Sequence, residues 1–291
     1  LVVGISVRAM AESAVHGGYA VQALDAFGDL DLRRLAPSCS LHCDCGAAYS
    51  PQALLAACRG LDYDAVAYTA NLENHPSVLA GIALNRPIIG NPPSVVRAVR
   101  DWRGLSPTLA RAGFRVPETY FHGDTVPAEP NRRWLLKPVL SGGGHGVSFA
   151  RGAGEEPDRT RILQEYIPGK ACSASFVADG RESAVIGITE QLIGTRCFGA
   201  SGFRYCGNIL PLQDLLDPAA GAAILEKVRR LASILTRTYG LTGVNGVDFI
   251  LHEGEVVATE VNPRYSASME LIERAHALSV FDLHAAAATK S

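Results

Sequence analysis

The sequence predicts an α/β unit built on a parallel sheet, followed by an α+β unit built on antiparallel strands. Three observations carry this expectation. Short apolar runs alternate with helical patterns through roughly the first 95 residues. Strand candidates joined by turns follow one another from Arg161 onward. One long helical pattern, roughly Ala219 to Tyr239 with Gly240 as its stop, then separates them from a last hairpin.

Leu1 to Ser6 is a short apolar run, followed by a helical pattern from Met10 to about Gly18 and a second run ending at Asp25. That β-α-β start implies parallel pairing. Runs at Ala65 to Ala70 and Pro87 to Gly90, with helical stretches at Pro51 to Cys58 and His75 to Leu84, extend the alternation. Helical patterns at Ser94 to Arg103 and Pro107 to Gly113 lead into strands at Val116 to Phe121 and Trp134 to Lys137. Beyond them, Ile162 to Tyr166, Cys172 to Ala178, Ala184 to Leu192 and Phe203 to Leu210 read as an antiparallel sheet, with Asp179-Gly180 as a hairpin turn. After the long helix come a hairpin at Val244 to Val261 and a closing helix. The expected division is residues 1–95, 96–168 and 169–291, and no fixed-period repeat is found.

With 291 residues, 47% hydrophobic and 19% charged, the chain can bury a large core, and its length suits about two domains. Twenty-seven basic against 29 acidic residues give a net charge of −2, so no overall field recruits nucleic acid or an anionic membrane. A small-molecule partner is expected. No apolar run approaches the roughly 18 residues of a membrane span, and Leu1 to Met10 lacks the pattern of a signal peptide, so a cytoplasmic location is expected. A homodimer is the default assembly. Seven cysteines, an odd number, argue for reduced thiols. The dense cluster of Cys39, His42, Cys43, Asp44 and Cys45 is read either as free thiols on a loop or as a metal site, although its spacing lacks the paired short loops of zinc sites.

Three constellations carry chemistry. Among so many arginines only Lys137, Lys170, Lys227 and Lys290 are lysines, which suggests that a compact ammonium is needed where one is kept. Lys137 ends the strand that begins at Trp134, and Ser141-Gly142-Gly143-Gly144-His145-Gly146-Val147 follows. Such a loop is either a phosphate-covering flap, its backbone amides free to approach oxygens, or a plain hairpin. It is neither a Walker loop nor a Rossmann fingerprint, because strands flank it on both sides. The second constellation, Gln164-Glu165-Tyr166-Ile167-Pro168-Gly169-Lys170, is an apolar strand that breaks at Pro-Gly, suited to reading an adenine edge or simply to turning between domains.

The third is Gly246-Val247-Asp248-Phe249-Ile250-Leu251 with Val256 to Arg264. Glu260 and Asn262, two apart on a strand, share a face, and hard oxygen ligands on one face suit Mg²⁺. Asp248 must join them. If Glu253 and Gly254 alone make the turn of a regular ladder, Asp248 falls opposite Thr259 and faces away from Glu260. A metal site therefore demands either a three-residue turn with Gly254 left-handed, or an equivalent bulge.

Together these three constellations, over about residues 94 to 275, resemble the ATP-grasp superfamily. The resemblance implies an ATP-grasp fold with an N-terminal Rossmann-like pre-ATP-grasp domain and ATP held between two α+β lobes. It implies that Lys137 holds phosphates, that Gly142, Gly143, Gly144, His145 and Gly146 form a lid, and that Gln164, Glu165, Tyr166 and Ile167 face adenine. Asp248, Glu260 and Asn262 would hold Mg²⁺, and Arg264 would meet a phosphate or the acyl intermediate. The chain departs from the family in two places. Where many members have an Asp-Lys pair it reads Arg100-Asp101-Trp102-Arg103, and Lys170 stands where an acidic residue often binds ribose. Substrate contacts are expected from Ser6, Arg8 and Glu73-Asn74-His75, and from Arg204 and Asn208 on the strand Phe203 to Leu210. For Asn74 the alternative is a cap on the helix containing Pro76, and for Arg8 a solvated side chain.

The implied activity is a carboxylate-amine ligase that uses Mg-ATP: a substrate carboxylate takes the γ-phosphate, and an amine attacks the resulting acyl phosphate while Arg264 and Arg204 stabilise the charge. The whole layout looks most like the tyramine–glutamate ligases, pointing to glutamate with an aromatic amine in cofactor biosynthesis. Rival readings are an ATP-grasp kinase and a non-catalytic ATP-binding regulatory protein. A nicotinamide dehydrogenase is disfavoured because Gly4 and Gly17-Gly18 do not make the dinucleotide fingerprint.

Overall fold

The computed structural model describes residues 1–127, 132–151, 155–212 and 216–289. The first part runs β1 (Val2–Val3), α1 (Arg8–His16), β2 (Ala23–Asp25), α2 (Leu30–Leu35), β3 (Ser38–Ser40), α3 (Pro51–Cys58), β4 (Val66–Tyr68), α4 (Pro76–Ala83) and β5 (Ile88–Ile89). These strands form one sheet in the order β3-β2-β1-β4-β5, every pair parallel. The expected β-α-β start is present. The sequence reading omitted α2 and β3, since Ser38-Cys39-Ser40 has no apolar alternation to mark it as a strand. The strand order reverses between β1 and β4, and ligands of open α/β sheets gather at the carboxyl ends of strands flanking such a reversal.

Two helices follow, α5 (Pro93–Arg100) and α6 (Trp102–Arg111). The break falls at Asp101, whose side chain accepts a hydrogen bond from Arg103 N at 3.1 Å and so restarts the helix, while Pro107 is accommodated inside α6. A four-stranded sheet comes next, from β6 (Thr119–Tyr120), β7 (Trp134–Pro138), β8 (Ser148–Phe149) and β9 (Arg161–Glu165), in the order β6-β9-β7-β8. Here the expectation is corrected: the strand at Ile162 belongs with β7, and the Pro168-Gly169 break parts it from the strands that follow. Its small core is Trp134, Leu136 and Leu163.

The third sheet holds β10 (Lys170–Asp179), β11 (Ser183–Ile193), β12 (Tyr205–Ile209), β13 (Thr242–His252) and β14 (Glu255–Asn262), antiparallel in the order β12-β11-β10-β13-β14. Its main cover is α7 (Pro218–Tyr239). Asp217 caps that helix by accepting from Ala219 N at 3.0 Å, and Gly240 ends it in a left-handed conformation. Ile224, Val228, Leu231 and Leu235, spaced by three or four, lie buried against the sheet, each contributing roughly 1.5–3 kcal/mol.

Instead of one closing helix there are two, α8 (Ala267–His276) and α9 (Val280–Ala288), parted at Ala277. The second packs back onto the first sheet: Val280, Phe281 and Ala285 share a core with Val2, Met10 and Ala14. At its centre the buried ring of His284 accepts from Val244 N at Nδ1 (2.8 Å) and donates from Nε2 to Ile89 O (2.9 Å), joining β5 to β13. Gly243 leaves room for it, since a Cβ there would lie 2.3 Å from Nδ1. Burial brings the imidazole pKa down to about 4. Beside it, fully buried Asn91 donates to Asn245 Oδ1 (2.7 Å) and to Pro263 O (3.1 Å) and accepts from Thr242 N (2.8 Å). This network fixes the end of β14, and with it Arg264, against the first sheet. No helix among the described residues is long and apolar enough to cross a membrane.

Candidate active site

The hairpin of β13 and β14 decides the site. His252 pairs with Glu255 across the two-residue turn Glu253-Gly254, whose φ values of +50° and +78° are the primed-turn geometry that glycine favours. A bulge between Asp248 and Phe249 then leaves Thr259 unpaired and sets Asp248 opposite Glu260. Of the two arrangements the sequence allowed, the chain uses the bulge. Thr259 Oγ1 donates to Asp248 O at 3.1 Å and closes it.

The carboxylates lie within a dense set of partners. Asn262 Nδ2 donates to Asp248 Oδ2 at 3.0 Å and Gln191 Nε2 to Asp248 Oδ1 at 3.2 Å. Burial, with Glu260 adding to it, pushes the Asp248 carboxyl up to about 6. Burial acts on Glu260 too, yet Arg100 and Lys137 together outweigh it and hold that carboxyl below its ordinary value. Arg100 Nη1 donates to Glu260 Oε1 and to Val261 O (3.1 Å), and its Nη2 donates to Asn74 Oδ1 at 2.7 Å. Of the two arginines considered in place of the family's lysine, Arg100 reaches the site. Arg103 turns outward to Asp124 at 3.1 Å and over the Phe121 ring.

Lys137 projects from β7 on the face opposite the core residues Trp134 and Leu136 and donates to Gln164 Oε1 on β9 at 2.9 Å. Burial lowers its pKa, which Glu260 and Asp248 partly oppose. Glu165, next along β9, points to the other side, where it receives Glu118 N at 3.1 Å and meets Arg115 and Arg132. Tyr166 and buried Ile167 continue the turn, with Tyr166 N donating to Arg133 O at 2.9 Å. The glycine loop 142–146 lies against the third sheet: Tyr205 N donates to Gly143 O at 3.0 Å. Gly144, at φ +72°, fits so closely that a Cβ would sit 1.8 Å from Phe203 O. His145 N and Val147 N bond within the loop, each at 3.3 Å.

Arg264 follows Asn262 by two residues and aims at the first sheet. Its Nε and Nη2 donate to Glu73 Oε1 at 2.8 and 2.7 Å, its Nη2 to Asn262 Oδ1 at 3.2 Å. Glu73 sits in a 3-10 turn, Leu72–Asn74, just after β4. Thus Glu73 and Asn74, at the strand-order reversal, each hold one arginine of the site. Other expected residues stand apart. Arg8 is held by Glu12 and Glu270, both at 2.7 Å. Ser6 offers its carbonyl to Thr69 Oγ1 at 3.0 Å, and burial lowers the His75 pKa. Because β12 begins at Tyr205, Arg204 lies ahead of that strand, and it is exposed. Asn208 lies in the same polar row as Asp248 but further along it, bonded to Thr189 Oγ1 (3.0 Å) and the Tyr205 hydroxyl. Lys170 is paired with Glu190 on β11. Sequence reasoning missed Gln191, which reaches the site through long-range register, and Thr259, which the hairpin bulge brings to Asp248 O. In the cysteine cluster, Cys39 and Cys45 sulfurs lie 3.6 Å apart and all seven cysteines are free. No group of three or more His, Cys, Asp or Glu among the described residues is placed to hold a metal. The hairpin's donors are two carboxylates and an amide.

The ATP-grasp domain family matches residues 100–268. The chain belongs to the ATP-grasp family. It is similar to an uncharacterized protein of Methanocaldococcus jannaschii, 25% identical over 195 residues, covering 64% of this chain and 46% of the relative. It is also similar to the formate-dependent phosphoribosylglycinamide formyltransferase of Parabacteroides distasonis, 29% identical over 158 residues, covering 53% and 39%. The chain thus spans less than half the length of these curated relatives. Among solved structures, an ATP-grasp superfamily protein from Archaeoglobus fulgidus has a TM-score of 0.65 at 20% identity, covering 96% of this chain and 80% of that one. The biotin carboxylase domain of Hydrogenobacter thermophilus 2-oxoglutarate carboxylase, solved with MgADP, ADP and bicarbonate, has a TM-score of 0.75 at 16% identity, covering 100% and 69%. At those identities the likeness is one of fold: an ATP-grasp fold behind a parallel N-terminal sheet.

Proposed function

We propose that this chain is an ATP-dependent carboxylate-amine ligase that forms an amide, ADP and phosphate. One observation carries the reading: Asp248, Glu260 and Asn262 face one another beside Lys137, Arg100 and Arg264, with the glycine loop nearby. Two carboxylates and an amide oxygen, one carboxyl already strained by its neighbour, suit Mg²⁺, which takes phosphate and water for its remaining positions. When bound, the ion would neutralise the terminal phosphates of ATP. Lys137 and Arg100 would add fixed positive charge there, Gln164 to Ile167 would border adenine, and residues 142–146 would cover the phosphates and exclude water.

In this reading the substrate carboxylate lies between the nucleotide and the strand-order reversal and attacks the γ-phosphate in line. Arg264, held by Glu73, then faces the acyl phosphate and stabilises the charge that develops as the amine attacks its carbonyl carbon and phosphate leaves. Arg8 and Arg204 are given no part, the first being neutralised by carboxylates and the second exposed. Asn208 extends the polar wall. In this reading the lack of the family's first lysine does not favour a regulatory protein, because Arg100 would supply the missing cation beside Glu260. For substrates we propose an amino acid and an amine, glutamate with an aromatic amine being the pair the layout resembles, and for domains the division near residues 95 and 168.

The test is a matrix of amino acids and amines incubated with the protein and Mg-ATP, read for phosphate release and by mass spectrometry for condensation products. Phosphate that appears only when both an acid and an amine are present is the expected result. Steady ADP formation indifferent to both would overturn the reading.

A further inference from the structure

Asn74 was a candidate cap for α4, but the residue flanking that helix is His75 and no side chain caps it. The carboxamide does something else. Its Oδ1 accepts from Arg100 Nη2 at 2.7 Å, and its Nδ2 donates to Ser141 O at 3.3 Å. The orientation is fixed chemically, since a flipped amide would set its donor against a guanidinium and its acceptor against a carbonyl. The residue is 8% exposed and its backbone is tied into the turn by Asn74 N to Asn71 O at 3.0 Å. Ser141 opens the glycine loop, and Arg100 continues to Glu260. A continuous chain of donors and acceptors therefore runs from the loop, through one side chain of the first sheet, to a carboxylate of the hairpin.

We propose that Asn74 is a positioning residue that latches the glycine flap and aims Arg100 in the same act, so that flap closure and the charge facing Glu260 change together. The functional weight of this rests on the ligase reading; the latch itself does not. The flap has two further holds, Tyr205 N on Gly143 O and the fit of Gly144 on Phe203, both on the third sheet. Asn74 is its hold on the first. Since Glu73, the adjacent residue, holds Arg264, a carboxylate substrate arriving at the strand-order reversal would meet the turn that governs the flap, and by linkage would alter nucleotide affinity. Two substitutions separate the contacts: Asp keeps the acceptor for Arg100 but opposes the Ser141 carbonyl with oxygen, and Ala keeps neither.

Hydrogen exchange by mass spectrometry on the ligand-free full chain tests the latch whether or not the chain is a ligase. In Asn74→Ala and in Asn74→Asp, peptides spanning His145 and Val147 should exchange about fivefold faster than in the parent, the effect of losing roughly one net hydrogen bond. Peptides from α7 should be unchanged in both. Parent-like flap exchange in either variant would overturn the proposal, as would an equal acceleration across α7, which would mark a general loss of structure.

Discussion

Asp248 stands opposite Glu260 because Thr259, between Ala258 and Glu260, is pushed out of the ladder. The two like charges raise the free energy of the ligand-free fold and supply its metal-binding potential, a strained pair of the kind that functional sites retain. Asp248→Asn should therefore raise the melting temperature by a few degrees while weakening Mg-nucleotide binding by at least about tenfold. Scanning calorimetry and titration calorimetry on the same samples check both; a variant that melts earlier and binds equally well would contradict the account.

The same pair sets a pH dependence. With the Asp248 carboxyl at about 6, protons compete with the cation below that value. Mg-nucleotide affinity should be level above pH 7 and fall by about tenfold per unit below 6. Titrations between pH 5 and 8 at constant ionic strength measure it.

His284 gives a second, separate pH effect. Its pKa of about 4 in the fold lies below its ordinary value of 6.5, so between those values the unfolded chain binds the extra proton. Stability should therefore rise with pH across that window and be lost as pH falls through it. Urea midpoints at pH 4.5 and 7 should differ, and the difference should shrink in His284→Gln, itself less stable at pH 7.

Asn91→Ala removes three buried hydrogen bonds and strands Asn245 Oδ1 and Thr242 N, while Pro263 O keeps the Tyr68 hydroxyl. A loss of roughly 2–4 kcal/mol is expected from denaturant curves.

Gly144→Ala tests the flap from its other side. A methyl placed 1.8 Å from Phe203 O, at a φ that disfavours side chains, should keep the flap off the third sheet. Phosphate release should fall by about a hundredfold, with the circular dichroism spectrum unchanged.

Much of this was legible in the sequence, for local reasons. Lys137 before a glycine run, and Glu260 and Asn262 two apart, declare a strand, a loop and a shared face without knowledge of distant residues. The hairpin was legible only as a condition, that something must shift the register. Thr259 could not announce itself as the shifting residue, because nothing local distinguishes a threonine that bulges from one that pairs. Gln191 was invisible for another reason: it lies on β11 and meets Asp248, 57 residues further along the chain, only through the pairing of the sheet. Arg100 stood in view as one of two arginines, and only the cap at Asp101 separated the inward one from the outward one.

The placement of α9 bears on how the chain comes to exist at all. Strands formed by residues 2 to 3 and 23 to 25 are covered on one side by α1 and α2 together with α9, so part of that cover is missing until residues 280 to 288 have been synthesised. A nascent chain that has completed these βα units must wait, with part of an apolar side outward, until α9 has been synthesised. A fragment cut after β5 should consequently be sticky and poorly formed, and a chaperone able to shield that face during translation would raise the yield of the finished protein.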